Sequence, residues 1–359
     1  MNEIWILGAT GRVGKGVAAD LAAKGFALGL VGRDRARLEG VAKDLAGLGG
    51  QARVVVATSL EATALEVAKA KPAVVVNTVG PFVKTALPIA RACLPNSHYV
   101  DVSNELNSFL DVFKLEEQAK AAGRCFVTGA GFGVLGTEGL VVALCKGRPA
   151  AAKVRVDGIP MVDGSGGGVV GEALAGSILD NLADGGRRYE GGRLVPHGFG
   201  AEAEELTLPD GTKAVTASAP TGDLEAARRA SGAPDVVGAS SMAPASTLAR
   251  GAVAVAGAIL SIDVLLQAAK RRLAKVEMKP GKAPARKHSF THARVEWSDG
   301  TVREGWLKTG DGSSFTNRVM AEVAARLARG EGKPGTFTPG VLFGSELAEL
   351  CGAEITTGG

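Results

Sequence analysis

Residues 4–14 constrain this chain more than any other stretch. Ile4-Trp5-Ile6-Leu7 is a short apolar run of the kind that forms a buried strand, and it passes directly into Gly8-Ala9-Thr10-Gly11-Arg12-Val13-Gly14. A helical repeat of apolar positions follows through Val17, Ala18, Leu21 and Ala22. Strand, glycine turn and helix in that order make a dinucleotide pyrophosphate site. Gly8 permits the tight turn, Gly11 lets the backbone approach the phosphates, and Gly14 lets the helix lie close to the strand. The free N–H groups and the dipole at the helix N-terminus supply the attraction for an anion. All seven residues from Gly8 to Gly14 are therefore expected to contact a cofactor.

The next strand selects the dinucleotide. Ala27-Leu28-Gly29-Leu30-Val31 ends in Gly32-Arg33-Asp34-Arg35. Folds that prefer NAD place a carboxylate here, about twenty residues past the glycine turn, to bind the ribose hydroxyls. Gly32 stands in that place and removes the charge that would repel a 2′-phosphate. Arg33 follows at once, with Arg35 and Arg37 in reach, and a planar guanidinium suits a phosphate through paired, charge-assisted hydrogen bonds. The expected cofactor is NADP(H), with Gly32, Arg33, Asp34 and Arg37 around its adenosine ribose. Asp34 also fits a plainer role, as the N-cap of a helix starting at Arg35.

Strands and helices continue to alternate: apolar runs at 53–57, 73–77, 98–102 and 124–128, with helices expected over Glu61 to Ala70, Leu87 to Leu94 and Phe109 to Ala122. Such runs imply a doubly wound parallel sheet covered on both faces, with ligands beyond the carboxyl ends of its strands. That rule gathers Asn77-Thr78-Val79-Gly80-Pro81-Phe82, Asp101, Ser103, Asn104, Glu105 and Gly129-Ala130-Gly131 around one crevice. Asn77 to Phe82 and Ser103 are expected to bind the cofactor. Asp101 and Glu105 are the carboxylates expected to face the reaction, either stabilising an iminium or relaying a proton. The plainer alternative is that Asp101 only fixes its loop by capping backbone N–H groups.

After about residue 150 the pattern becomes short alternating segments, and Asp299-Gly300 signals a hairpin into Val302 to Leu307. This predicts a second α+β domain with a mostly antiparallel sheet, expected over the open face of the first domain as a substrate pocket. A chain of 359 residues has room for both domains. Its four scattered cysteines, without a CxxC pair, read as reduced thiols, and the chain enters a strand at once. The expectation is a cytoplasmic protein without a signal peptide. His288 and His292 are four apart, but in a strand that spacing does not favour joint ligation, so no metal is expected. The run Gly164 to Gly168 reads as a hinge and the start of a helix to about Leu182. Ala252 to Leu266 is apolar, is interrupted by Asp263, and leads into a basic tract from Lys270 to Lys287. Packing in the core or in a homodimer is favoured there over contact with a membrane surface. The basic tract lacks the interleaved aromatics of a single-strand nucleic-acid binder.

Gly8 to Gly14, Asn77 to Phe82, His98-Tyr99-Val100-Asp101 and Gly129-Ala130-Gly131-Phe132-Gly133 together resemble the saccharopine dehydrogenase-like oxidoreductases. Later segments are similar to short bacterial members, among them Asp311-Gly312-Ser313-Ser314-Phe315-Thr316 and Thr338 to Gly344. The resemblance implies a Rossmann domain over residues 1–130, an inserted substrate and dimerisation domain over 131–320, and a segment, 321–359, returning to the first domain. It also implies NADP dependence in a family that includes imine reductases and a trans-acting enoyl reductase. Short-chain dehydrogenases use a Tyr-x-x-x-Lys pair, which neither Tyr99 nor Tyr189 supplies. Ketone reduction needs a proton donor beside the oxygen. An iminium carries its own activation, and an enoyl thioester needs only carbonyl polarisation. The expected function is therefore hydride transfer from NADPH to a C=N or C=C bond of a small-molecule or thioester substrate. The alternative is an NADPH-binding sensor or scaffold without turnover.

Overall fold

A computed structural model of the chain describes residues 3–161, 168–169, 185–246, 251, 263–273, 277–278 and 287–358. The chain divides into two compact units, Met1–Phe132 with Ser313–Phe343, and Gly133–Gly312 with Gly344–Gly359.

The first unit holds β1 (Ile4–Leu7), α1 (Arg12–Ala23), β2 (Ala27–Gly32), α2 (Arg35–Ala46), β3 (Gln51–Val56) and α3 (Leu60–Ala70). It continues through β4 (Val74–Asn77), α4 (Phe82–Cys93), β5 (His98–Asp101), α5 (Leu106–Phe113), α6 (Glu116–Ala121) and β6 (Cys125–Val127). A seventh strand, Gly335–Phe337, joins from the return segment. Across the sheet the order is Gly335–Phe337, β6, β5, β4, β1, β2, β3, with every neighbouring pair parallel. This is the doubly wound order of a Rossmann sheet. Helices on both faces explain why the strands carry apolar residues without alternation: Ile4, Trp5 and Ile6 are 0% exposed and Leu7 1%. The buried face of α1 is Gly14, Val17, Ala18, Leu21 and Ala22, as its periodicity predicts. The register sets Leu7, Asn77 and Asp101 side by side at the carboxyl edge.

Two boundaries differ from the sequence reading. The single helix expected over Phe109 to Ala122 is two, α5 and α6, because the chain turns at Lys114–Leu115 and sends the Leu115 side chain into the core at 1% exposure. The return to the first unit spans Ser313–Phe343 instead of 321–359. The last residues go elsewhere because Glu354–Thr357 pairs antiparallel with Val302–Thr309 in the second sheet.

The second unit starts with α7 (Phe132–Cys145, Phe132 itself belonging to the first unit) and β7 (Lys153–Ile159). Its sheet runs Arg193–His197, Gly186–Glu190, Asp235–Ser240, β7, Ser289–Glu296, Val302–Thr309, Glu354–Thr357, and Lys213–Ser218 attaches Glu204–Thr207 to it. Only the pairing of β7 with Asp235–Ser240 is parallel among these, so the sheet is mixed and mostly antiparallel. Asp157, fully buried, ties three strands together. Its Oδ1 accepts from Thr216 Oγ1 at 2.7 Å and Arg155 Nε at 3.0 Å, and its Oδ2 lies 3.0 Å from His292 Nδ1. His292 is thus a structural partner of a carboxylate, stacked 4.7 Å from Trp306.

Residues 164–167 and 170–184 and most of the 252–287 stretch lie outside the described residues. Where a helix was expected to start, Gly168–Val169 is instead a short strand paired antiparallel with Glu277–Met278, and Asp263–Leu273 is a helix. Among the described residues, no helix is long and apolar enough to cross a membrane.

Candidate cofactor site

The glycine turn after β1 has the geometry its residues dictate. Gly8 sits at φ +76°, in the left-handed region, and a Cβ there would lie 2.8 Å from Thr78 Oγ1. A Cβ on Gly14 would lie 2.3 Å from the Gly8 carbonyl oxygen, so α1 packs on the turn only because position 14 has no side chain. Gly8 and Ala9 both donate their N–H to Val31 O, which fixes the turn to β2. Thr10, Gly11, Arg12 and Val13 then carry the chain into α1.

The N-terminus of α1 differs from those of α2 and α3. Asp34 caps α2 by accepting from Arg37 N at 3.1 Å, and Ser59 caps α3 by accepting from Ala62 N at 3.1 Å. Gly11 gives α1 no side-chain cap, and no acid stands in its first turn. A helix needs partners for its first N–H groups, and an anion such as a pyrophosphate supplies them. At the end of β2, Asp34 has the plainer role, holding backbone. Arg33 and Arg37 are exposed and have no carboxylate partner among the described residues, whereas Arg35 pairs with Glu39 at 3.7 Å. Two cations beside Gly32 and an uncapped helix together fit a dinucleotide with a 2′-phosphate.

At the strand ends the structure joins the expected residues into one buried network. Thr78 Oγ1 donates to Leu7 O at 2.7 Å and locks β4 to β1. Asn77 is fully buried; its Oδ1 accepts from Val79 N at 3.0 Å and its Nδ2 donates to Tyr99 Oη at 3.2 Å. Val79, Gly80 and Pro81 form the turn into α4, which starts at Phe82. Asp101 Oδ1 accepts three bonds, from Ser103 N at 3.0 Å, Thr128 Oγ1 at 2.9 Å and Gly129 N at 3.1 Å. Ser103 Oγ accepts from Glu105 N at 3.2 Å, and Glu105 Oε2 accepts from Val83 N at 2.7 Å. The loops after β4, β5 and β6 are thereby pinned to one another below the carboxyl edge.

This arrangement bears on the two carboxylates singled out for chemistry. Asp101 is 0% exposed and Glu105 3%, and both carboxylates hold backbone N–H groups, Asp101 also the Thr128 hydroxyl. Burial pushes the Asp101 carboxyl above its usual range, against the N–H groups of Gly129 and Ser103. Its Oδ2 is buried without a hydrogen-bond partner, and so is Asn104 Oδ1 nearby in the chain. Tyr99 and Thr128 are the members that sequence reasoning missed. Their contacts cross between strands and have no periodic signature.

An expected outcome follows from the one-sided use of Asp101. Asp101→Asn can keep an oxygen on its three donors, whereas Asp101→Ala strands them, at about 1–3 kcal/mol for each buried group left unpaired. Thermal melts should show the alanine variant far below wild type and the asparagine variant close to it. A native pKa above the unfolded one means that the native state holds a proton the unfolded chain releases, so this carboxyl costs stability as pH rises through that window. The asparagine variant should therefore compare most favourably with wild type at the upper end of the pH range.

A substrate with several carboxylates calls for arginines that are not already ion-paired, and Arg155, Arg228 and Arg229 of the second unit do not qualify. Arg155 is paired with Asp157 at 3.0 Å and Glu204 at 3.1 Å, and Glu225 takes both Arg228 at 2.8 Å and Arg229 at 2.7 Å. Each guanidinium already has a carboxylate.

Comparison with known proteins agrees with the first unit's geometry. Residues 4–127 match the saccharopine dehydrogenase NADP binding domain. The trans-acting enoyl reductase of Mycobacterium tuberculosis is 32% identical over 136 residues, 36% of this chain and 32% of that protein. A second protein of that bacterium, provisionally given the same name, is 29% identical over 220 residues, 58% of this chain and 52% of its own length. The chain thus spans between a third and about half of the curated relatives it matches. Apo saccharopine dehydrogenase (L-Glu forming) from Saccharomyces cerevisiae superposes over the whole of both chains with a TM-score of 0.59 at 13% identity, a likeness of fold. Residues 4–127 accordingly form an NADP-binding domain similar to that of the saccharopine dehydrogenases.

Proposed function

We propose that the protein is an NADPH-dependent reductase that delivers hydride to the C=C bond of an enoyl thioester. The observation that carries the reading is how the carboxylates of the crevice and the arginines of the second unit are used. Asp101 and Glu105 are buried on backbone donors, and Arg155, Arg228 and Arg229 are paired. A substrate activated by its own conjugated carbonyl asks for polarisation of that carbonyl but for no carboxylate acid, since solvent can return the proton to the enolate left by the hydride. Relatives aligned with 36–58% of this chain bear the name of enoyl reductases, one of them provisionally.

In this reading NADPH supplies the hydride, and the chain supplies position. The uncapped N-terminus of α1 and the turn Gly8 to Gly14 hold the pyrophosphate, and Arg33 and Arg37 hold the 2′-phosphate. Thr78, Val79 and Ser103 shape the nicotinamide end. The network from Asn77 to Glu105 keeps these loops fixed, so little ordering cost falls on binding.

Absorbance of NADPH at its reduced-nicotinamide band tests the proposal, with short and long enoyl thioesters and a cyclic imine as acceptors. The expected result is steady oxidation with an enoyl thioester, faster with NADPH than NADH. Turnover with the imine alone, or binding of NADPH without turnover on any acceptor, overturns it.

A further inference from the structure

Gly16 stands outside the glycine turn, half-buried on α1, and its reason lies three hundred residues away. A Cβ on Gly16 would lie 2.0 Å from Asn317 Nδ2 and 2.5 Å from its Cγ. The amide of Asn317 therefore occupies the space that any side chain at position 16 would need. Asn317 belongs to the return helix Gly312–Ala328, which runs beside α1 in the same direction: Arg318 lies beside Asp20, and Glu322 Oε2 takes Lys24 Nζ at 2.8 Å. One residue before the wedge, Thr316 Oγ1 accepts from Phe132 N at 3.1 Å, and its side chain leaves 3.1 Å for a Cβ on Gly131. The same turn of the return helix thus presses on α1 and on the loop after β6. Asn317 Oδ1 is buried without a hydrogen-bond partner. An asparagine serving the fold alone would pair both ends of its amide.

We propose that Asn317 is a positioning residue for the dinucleotide: wedged on Gly16, it seats α1 and its phosphate-binding N-terminus against the return helix, and so makes residues 313–343 part of the cofactor machinery. The wedge sits four residues, about 6 Å of helix rise, from Arg12 at the start of α1. A shift of α1 at that point moves the N–H groups that face the phosphates. The inference rests on the reading of the glycine turn as the NADP site.

NADPH titrations and thermal melts of the full chain test it with Asn317→Ala, Asn317→Asp, Gly16→Ala and the Gly16→Ala/Asn317→Ala pair. Asn317→Ala should raise the NADPH Kd about three- to tenfold, the scale of one buried polar contact, with an unchanged Tm. Asn317→Asp keeps the wedge's shape and should weaken NADPH further, because its charge opposes the phosphates. Gly16→Ala should lose binding, and the pair should regain part of it, since the shortened side chain makes room for the new methyl group. If Gly16→Ala does not fold, the two Asn317 variants decide alone. Wild-type affinity in both Asn317 variants, whatever their Tm, overturns the wedge. Failure of the wild-type protein to bind NADPH overturns the cofactor reading itself, and with it the wedge.

Discussion

Replacing Arg33 with alanine raises the Kd for NADPH by about one to two orders of magnitude, the loss expected for charge-assisted hydrogen bonds of about 1.5–3 kcal/mol. NADH, which has no 2′-phosphate, binds the variant as it binds wild type. Arg33 is free to act because its neighbours are arranged around it. Asp34 spends its carboxylate on Arg37 N, Gly32 adds no charge, and no carboxylate pairs with Arg33 among the described residues. Arg37→Ala should follow the same direction with a smaller loss, since its side chain starts one helical turn further on. Raising the ionic strength should shrink the difference between the nucleotides, because both cations are exposed and screened. Nucleotide fluorescence titrations of wild type and variant with each cofactor provide the check. An equal loss for NADH, or none for NADPH, would remove Arg33 from the 2′-phosphate.

Asp157→Ala costs about 3–5 kcal/mol of stability, the usual consequence of removing one partner from a buried ion pair. The carboxyl is 0% exposed and serves Arg155, Thr216 and His292 at once, so its loss leaves a guanidinium, at 11% side-chain exposure, without its nearest anion. Lys213–Ser218, which bears Thr216 and carries Glu204–Thr207, would lose one of its two polar anchors to β7, keeping the bond from Arg155 to Thr216. Burial works to raise the Asp157 pKa but is outweighed by the His292 hydrogen bond, the Arg155 charge and the Thr216 hydroxyl, which leave it below the usual range. The stabilisation is then present above the carboxylate's unfolded value, near 3.9, and disappears as pH falls through the lower folded value. Denaturant midpoints should therefore separate wild type and Asp157→Ala widely at neutral pH and bring them together in acid. A constant gap across that range would show that the carboxylate's charge is not what the fold uses.

The first unit was legible because its signals are local. A strand buried on both faces needs only apolar residues, as in Val74-Val75-Val76, and Gly8 and Gly14 are required by a turn and a contact spanning seven residues. Arg33 and Asp34 could be placed just past the end of β2 because the apolar run of that strand stops at Gly32. The roles within the crevice were less legible. Asp101 looked like an acid because it ends a strand, and it holds the backbone of two loops because Thr128 and Gly129 come to it from β6. Nothing in the spacing of His292 and His288 points to Asp157, which reaches His292 across paired strands 135 residues apart.

The sequence by itself determined the doubly wound sheet, the glycine turn after its first strand and the mostly antiparallel character of the second sheet, since periodicity and turn chemistry are written in neighbouring residues. Tertiary structure alone decided that residues 313–343 return to the first unit while 344–359 stay with the second, that the carboxylates at the crevice are bound to backbone, and that Gly16 answers to Asn317. Each of these depends on which distant segments are brought within a few ångströms, and that follows from strand pairing and helix packing over the whole chain.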